Sequence, residues 1–362
     1  MSPDVLVIGA GVNGLFSALL LARQGLSVCL VDRGDVASES TWAGAGILSP
    51  LLPWDYGAEV NALSERARAL WPGWMEQLRQ AGRTDPEFRV CGMRVLGSEN
   101  RSAALAWCRD HGWPAESPAP APQGSGQSDD SLWLPDVAQV RNPRLAKALT
   151  EACIAEGVRI VTDTPVEALE IADGGVRSVK TRTGKLSAKS YVIATGAWSQ
   201  GLLGEWAGDI DIHPVRGQIL LFKATPGLLP HIAYKAGHYL VPRLDGLILA
   251  GSTLEYAGFE KAATPAARHE LMAFALECVP ELRQAELIQH WSGLRPGSPG
   301  NIPTISVHPA IGNLYLNSGH FRYGVTMAPA SAELLRDLML GLTPGIDPAP
   351  YRWRLPVAAQ QN

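Results

Sequence analysis

The chain opens on a strand, a glycine-rich turn, a helix and a second strand in close succession, and few folds accept that order. Val5-Leu6-Val7-Ile8 is an apolar, largely branched run that leads straight into Gly9-Ala10-Gly11-Val12-Asn13-Gly14. Leu15, Ala18, Leu19 and Ala22 then recur at helical spacing, Val28 to Val31 form a second apolar run, and Asp32 follows, 18 residues past Gly14. This is the context a dinucleotide-binding G-x-G-x-x-G requires. Gly9 permits the tight turn, Gly11 lets a pyrophosphate approach the backbone, and Gly14 lets the helix pack against the sheet. The helix N-terminus presents free N–H groups and a positive dipole end to phosphates. Asp32 stands near the spacing at which an acid bonds a ribose hydroxyl. The rival reading, a glycine-rich turn that serves packing alone, does not account for the acid.

Composition narrows the class further. At 362 residues the chain can hold one large or two moderate domains, with a sizeable core. A hydrophobic content of 46% and a charged content of 18% are globular values. The net charge is −4 and the basic residues are scattered, so no nucleic-acid footprint is expected. No apolar run is long enough to span a membrane. The first apolar run is interrupted by glycines and reads as a Rossmann strand rather than a signal peptide. The five cysteines (Cys29, Cys91, Cys108, Cys153 and Cys278) are widely spaced and form no C-x-x-C pair. Neither a metal site nor a disulfide framework is expected, and a reducing cytoplasm fits.

The remaining elements alternate in kind. Residues 59–80, 143–156, 265–279 and 328–340 read as helices, with Gly341 placed to end the last. Phe88 to Leu96, 158–161, Lys189 to Thr195 and Leu314 to Leu316 read as strands. Residues 213–223, 231–243, 246–253 and 285–295 read as a mainly antiparallel block, with Asp245-Gly246 as a hairpin turn. Residues 113–130, rich in Pro, Ser and Gly, read as an exposed excursion. The pattern implies an α/β chain in which a Rossmann-type nucleotide domain (1–85, 140–205 and 296–350) is interrupted by a mainly antiparallel β substrate domain (86–139 and 206–295). A ligand cleft is expected between them. The fingerprint alone leaves FAD and NAD both open, with its place at the N-terminus favouring FAD.

Several ordered motifs carry a resemblance over nearly the whole chain. These are Ala194-Thr195-Gly196-Ala197-Trp198-Ser199, His213-Pro214-Val215-Arg216-Gly217-Gln218, Tyr239-Leu240-Val241-Pro242-Arg243, Gly251-Ser252-Thr253-Leu254-Glu255, Trp291-Ser292-Gly293-Leu294-Arg295-Pro296, and Gly319-His320-Phe321-Arg322-Tyr323-Gly324 leading to Ala328-Pro329-Ala330. With the opening fingerprint, the chain resembles the D-amino-acid oxidase type of FAD-dependent amine oxidase, most of all the bacterial glycine oxidases of thiamine biosynthesis. The resemblance implies a glutathione reductase-like, D-amino-acid oxidase-like fold. It also implies FAD and hydride transfer from the substrate Cα to flavin N5. An imine then gives a 2-oxo acid and ammonia, and oxygen is reduced to hydrogen peroxide. Gly9, Gly11, Gly14, Asp32, Val166, Gly196, Gly319, His320, Arg322 and Gly324 would hold the cofactor, Val166 through its backbone to the adenine. Tyr239, Arg295 and Arg322 match the catalytic positions, and with Ile47 and Leu254 they would form the substrate pocket. Ile47 and Leu254 replace methionines of the family. The flavin-tethering cysteine of the sarcosine oxidase branch is absent after Pro296, which implies non-covalent FAD.

The chemistry agrees with these types. An amino-acid carboxylate in a dry cleft needs a fixed cation, and a guanidinium supplies two parallel N–H bonds. Arg295 fits that need, against the alternative of a structural arginine pairing a local acid. Tyr239 could donate its phenolic proton to the same carboxylate, or serve as a sheet aromatic. Its neighbour His238 would point to the other face of the strand. Arg322 reads as a substrate or flavin contact or as a surface arginine, and His320 as cofactor packing or chemistry. Asp55, Glu255 and His213 are three candidate bases with nothing to choose among them. Three rival functions remain at this stage: a D-amino-acid dehydrogenase passing electrons to a quinone or carrier, a tRNA-modification oxidase module, and a non-catalytic flavin-binding protein. The partners expected are a small amino acid or amine and molecular oxygen, with self-association into a homo-oligomer left open.

Overall fold

The structure is a computed structural model that describes residues 2–80, 84–97, 100–117 and 131–353. Its first three elements are the fingerprint: strand β1 (Val5–Ile8), helix α1 (Val12–Ala22) and strand β2 (Val28–Val31). They seed a six-stranded sheet in the order Thr304–His308, Ile311–Ser318, Ser190–Ile193, β1, β2, Arg159–Val161. All pairings are parallel except that of the Thr304–His308 edge, which runs antiparallel to its neighbour. A central parallel strand is covered on both faces, so its residues are continuously apolar. β1 obeys this with period two. Val5 and Val7 enter one core with α1 and the closing helix Gly324–Leu340, whereas Leu6 and Ile8 enter a second core with Val176 and Val179. Helix α1 is buried almost all round, and its Phe16 meets Trp71 and Trp74 edge-on at 5.7 and 5.0 Å.

A seven-stranded sheet forms the other half, in the order Glu286–Gly297, His213–Lys223, Leu247–Gly251, His238–Pro242, Ile232–Lys235, Met93–Val95, Leu132–Leu134. Its two faces also divide by parity. Leu220, Phe222, Leu240 and Ile248 pack under helix Pro265–Cys278, while Ile219, Tyr239, Val241 and Leu249 join the first core.

Several expectations need correction. The run from Phe88 to Leu96 is two short strands, Arg89–Val90 and Met93–Val95, parted at Gly92, whose φ is 70°. Residues 231–243 contain two strands, turning at Ala236 and Gly237, which both have positive φ. Within the block from 213 to 297 every pairing is antiparallel, as expected, and Ile232–Lys235 extends the sheet by pairing parallel with Met93–Val95. The closing helix starts at Gly324, four residues earlier than read, and ends on Gly341 at φ 65°. A three-stranded meander, Val166–Ala172, Gly175–Thr181 and Gly184–Leu186, went unread. Of the expected excursion, Trp113 is buried and Glu116 bridges to Trp133, while residues 118–130 lie outside the described ones. The strands of the six-stranded sheet come from one set of segments, 1–85, 140–205 and 296–350, and those of the seven-stranded sheet from another, 86–139 and 206–297, so that the strand Glu286–Gly297 runs two residues past the expected boundary. A small sheet of Ile47–Leu48, Ala138–Gln139 and Arg89–Val90 joins the two sets.

Candidate active site

The turn after β1 leaves room for nothing but glycine at two of its positions. Gly9 sits at φ 107°, and a Cβ there would lie 2.4 Å from the Ala194 carbonyl oxygen. A Cβ on Gly14 would lie 1.8 Å from the Gly9 carbonyl oxygen, so the helix rests directly on the turn. Gly11 has an ordinary φ of −71° and caps α1. The Val12 N–H donates to Thr41 Oγ1 at 3.0 Å. Asp32 directly follows β2 and accepts from the Ala10 and Gly34 N–H groups at 2.6 and 3.0 Å. Burial raises its carboxyl from the ordinary range, against the lowering effect of those two bonds. The Asp32 carbonyl accepts from the Thr164 N–H at 2.7 Å, which brings Val166 beside the acid.

These groups open onto a cavity of about 880 Å³ between the two sheets, within the range of ligand pockets. Gly9, Gly11, Asp32, Val166, Gly196, Ile47, Tyr239, Leu254, Arg295, His320, Arg322 and Gly324 all line it. Gly14 and Gly319 do not. They support the wall from behind, Gly14 under Gly9 and Gly319 at φ 86° against Ile212. The side-chain oxygens of Asn13, Asn142 and Asn317 are buried without a hydrogen-bond partner, and all three residues line the cavity. Buried oxygens of this kind call for a donor-bearing ligand. With the glycine turn, the α1 N-terminus and Asp32, they fit the phosphates, ribose and polyol of FAD.

The far wall is the seven-stranded sheet, where two side chains lie across bare backbone. Arg295 stands on the edge strand opposite Val215. Its guanidinium lies over the neighbouring strand at Gly217, where a Cβ would come within 2.1–2.3 Å of it. Tyr239 lies over Gly251 on the next strand, where a Cβ would come 2.9 Å from its ring and 3.0 Å from its hydroxyl. The sheet order places the Gly217 and Gly251 strands side by side, so the two side chains approach each other from opposite sides. Arg295 donates to Ser252 Oγ at 2.6 Å and to the Thr253 carbonyl at 3.1 Å, with a longer contact of 3.4 Å to the Arg216 carbonyl. Burial, opposed by Tyr239 and reinforced by the like charge of Arg322, lowers its pKa. No ion pair involving Arg295 occurs among the described residues, so the structural alternative weighed for it is not the arrangement found.

The other candidates sort themselves. Arg322 is exposed at the cavity, its guanidinium 5.5 Å from the Phe321 ring centroid. His320 is fully buried against Ser331 Oγ at 2.9 Å, and burial drops its pKa to about 3. It is a neutral ring at working pH. His238 faces helix Pro265–Cys278, with Glu270 at 3.2 Å and Phe274 at 5.1 Å. None of the three candidate bases lines the cavity. Glu255 is paired with Arg216 at 2.6 Å and accepts from Gln218 at 2.8 Å, and His213 pairs with Asp211 at 2.9 Å. Sequence reasoning missed Gly217 and Gly251 as functional. The signal was present, since an isolated glycine inside a strand marks a close approach. No group of residues suited to a metal ion occurs among the described residues, and no described helix is long and apolar enough to cross a membrane.

Comparison with known proteins gives the family. The family described as "DAO: FAD dependent oxidoreductase" matches residues 4–338. The chain is 41% identical over 359 residues to a glycine oxidase of Pseudomonas aeruginosa, covering 97% of this chain and 98% of that one. It is 31% identical over 354 residues to the bifunctional protein ThiO/ThiG of Trichormus variabilis, covering 94% of this chain and 53% of the relative. The crystal structure of glycine oxidase from Geobacillus kaustophilus superposes with a TM-score of 0.90 at 26% identity, over 97% of this chain and 98% of that one. A chain with this dinucleotide turn, this two-sheet cavity and a family match over nearly its full length belongs to the DAO family of FAD-dependent oxidoreductases.

Proposed function

We propose that the chain oxidises glycine and similarly small amines or D-amino acids with non-covalently held FAD. The product is an imine that hydrolyses to a 2-oxo acid and ammonia. The observation that carries this reading is the pair Arg295 and Tyr239, laid over Gly217 and Gly251 into the cavity that the dinucleotide turn opens. The likeness to glycine oxidases supports the substrate class. The likeness to a ThiO/ThiG protein supports a place in thiamine biosynthesis, where the imine is used directly.

Bound FAD supplies the hydride acceptor and, with oxygen as oxidant, the source of hydrogen peroxide. The protein supplies position. The six-stranded unit would hold the cofactor, with Asp32 at the adenosine ribose and the Val166 backbone at the adenine. Arg295 binds the substrate carboxylate through its fork, in a dry place where the bond gains strength. Tyr239 donates its phenolic proton to the same carboxylate. Arg322 adds a second cation at the cavity, and the neutral His320 adds no charge of its own beside it. With the carboxylate fixed, Cα would be held toward the part of the cavity, between Asp32 and Arg295, where the cofactor ring would lie. The amine must arrive neutral. Correct placement of this kind accounts for effective molarities on the order of 10⁵ M or more. Ile47 and Leu254 wall the cavity and keep the substrate small. Five free cysteines fit a reducing compartment such as the cytoplasm.

The test is product formation. Purified protein with glycine in air should yield peroxide and glyoxylate, and acid precipitation should release intact FAD. No peroxide with any small amino acid would sink the reading, and flavin retained in the pellet would sink the non-covalent part.

A further inference from the structure

Arg243 is a buried cation with no acid to match it. It is 7% exposed, and the two acids whose charge acts on it are engaged elsewhere, Arg141 holding Glu87 at 3.3 Å and Asp245 at 2.9 Å. The Arg243 guanidinium instead donates to Gln139 Oε1 at 2.5 Å, to the Val140 carbonyl at 3.0 Å and to the Ala45 carbonyl at 2.8 Å. Burial lowers its pKa to about 10, which still leaves it charged at neutral pH. A charge buried this deeply is costly unless its bonds are needed.

The Ala45 carbonyl is one of five consecutive carbonyls fixed from outside their own segment. Trp291 Nε1 donates to the Ala43 carbonyl at 3.1 Å, and Asn142 Nδ2 to that of Gly44 at 3.1 Å. The Val140 N–H donates to the Gly46 carbonyl at 2.8 Å, and Thr326 Oγ1 to that of Ile47 at 3.0 Å. All five residues, Ala43 to Ile47, line the cavity. Every peptide plane of this wall is therefore set by another element. Arg243 follows directly on the strand His238–Pro242, four residues beyond Tyr239, and residues an even number apart share a face. One strand thus touches the substrate end of the cavity and the wall segment together.

We propose that Arg243 is a positioning residue for the oxidation. From the end of the strand that carries Tyr239 it anchors the Ala45 carbonyl, and so fixes the cavity wall Ala43–Ile47, which would face the bound cofactor, relative to the substrate clamp. This rests on the function proposed above for the placement of the ring. Arg243 touches neither substrate nor cofactor, and its effect is on their mutual geometry.

The experiment compares holoenzymes of wild type, Arg243→Met, Arg243→Lys and Thr326→Val. Three quantities are read: the visible band of the bound flavin at rest, the rate of flavin reduction by saturating glycine without oxygen, and the affinity for acetate, a carboxylate lacking the amine. Arg243→Met should shift the resting band and slow reduction roughly 10- to 100-fold, the scale of a misplacement near one ångström. Acetate affinity should stay within about threefold, because Arg295 and Tyr239 remain. Arg243→Lys, with charge but no fork, should fall between. If Arg243→Met yields no folded holoenzyme, Arg243→Lys and Thr326→Val carry the same comparison with smaller changes. An unchanged band and rate in the folded Arg243 variants overturns the proposal. A loss of acetate affinity in step with rate also overturns it, assigning Arg243 to binding. Should wild type prove inert toward glycine, the functional reading fails, and the resting band still judges Arg243.

Discussion

Replacing Gly217 by alanine should separate substrate binding from folding. The new methyl would sit 2.1–2.3 Å from the Arg295 guanidinium, far inside van der Waals contact. What it meets is the end of a flexible side chain, not backbone, so the strand can keep its place while Arg295 swings off. Gly217 faces Gly293 across the strand pair, and the three atoms nearest the methyl all belong to the Arg295 guanidinium. Alanine also loses less chain entropy on folding than glycine, by about 0.4–1 kcal/mol, which offsets a small part of the Arg295 bonds that are broken, and the displaced guanidinium can make new bonds in the cavity. The thermal midpoint should therefore move by only a few degrees. Substrate should suffer more. A hydrogen bond to a charged group is worth roughly 1.5–3 kcal/mol. At about 1.4 kcal/mol per tenfold, carboxylate affinity should fall roughly 10- to 100-fold. Arg295→Lys, which keeps the charge and loses the fork, should give a similar deficit. The assay is anaerobic titration of the holoenzyme with acetate, followed by the flavin spectrum, beside a thermal melt. Full acetate affinity in a normally folded Gly217→Ala would refute the placement of Arg295 as the carboxylate's partner.

Other outcomes follow from the same geometry. Gly14→Ala places a methyl 1.8 Å from the Gly9 carbonyl oxygen; overpacking of this kind costs about 1–3 kcal/mol or more, and the purified variant should lack flavin, which absorbance checks directly. Leu254, 40% exposed at the cavity, should limit substrate size by roughly 1–3 kcal/mol; Leu254→Ala should raise the ratio of kcat/KM for a bulky D-amino acid over D-alanine, and an unmoved ratio would remove Leu254 from the pocket wall. Burial depresses the His320 pKa to about 3 and that of His231 to about 4, so the unfolded chain binds these protons and the native state excludes them. Stability is then fully present above about pH 6.5 and declines by about 1.4 kcal/mol per pH unit for each histidine as pH falls toward its folded value. His320→Gln should flatten that decline in urea titrations between pH 6.5 and 4, and an equally steep profile would contradict the neutral, buried ring.

The opening of the chain was legible because local pattern and tertiary role coincide there. Val5 to Ile8 reads as a strand by composition and is one, covered on both faces. Gly9 and Gly14 are glycine because backbone lies where a Cβ would be. Arg295 was legible as a chemical need within a motif, although its neighbours were not. Gly217 and Gly251 look like strand defects in sequence, and only the crossing of side chains from other strands shows why they are bare. The meander from Val166 to Leu186 was unread because its outer face is half exposed and its apolar alternation is weak. Glu255 looked like a base until Arg216, distant in sequence, was found on it. Arg243 stood in a quoted motif with no role attached, because its partners Ala45 and Gln139 come from segments 198 and 104 residues away.

The central claim is that bound FAD accepts hydride from a small amino acid whose carboxylate rests on Arg295 and Tyr239. Stopped-flow bleaching of the flavin without oxygen tests it most directly, with glycine, sarcosine, D-alanine, a bulky D-amino acid and L-alanine compared in wild type and Arg295→Lys. The account predicts rapid bleaching by glycine, sarcosine and D-alanine, little by the bulky substrate or the L-form, and a rise in the half-saturating concentration in the variant. Flavin that stays oxidised with every one of these amines, or bleaching whose concentration dependence ignores Arg295, would contradict it.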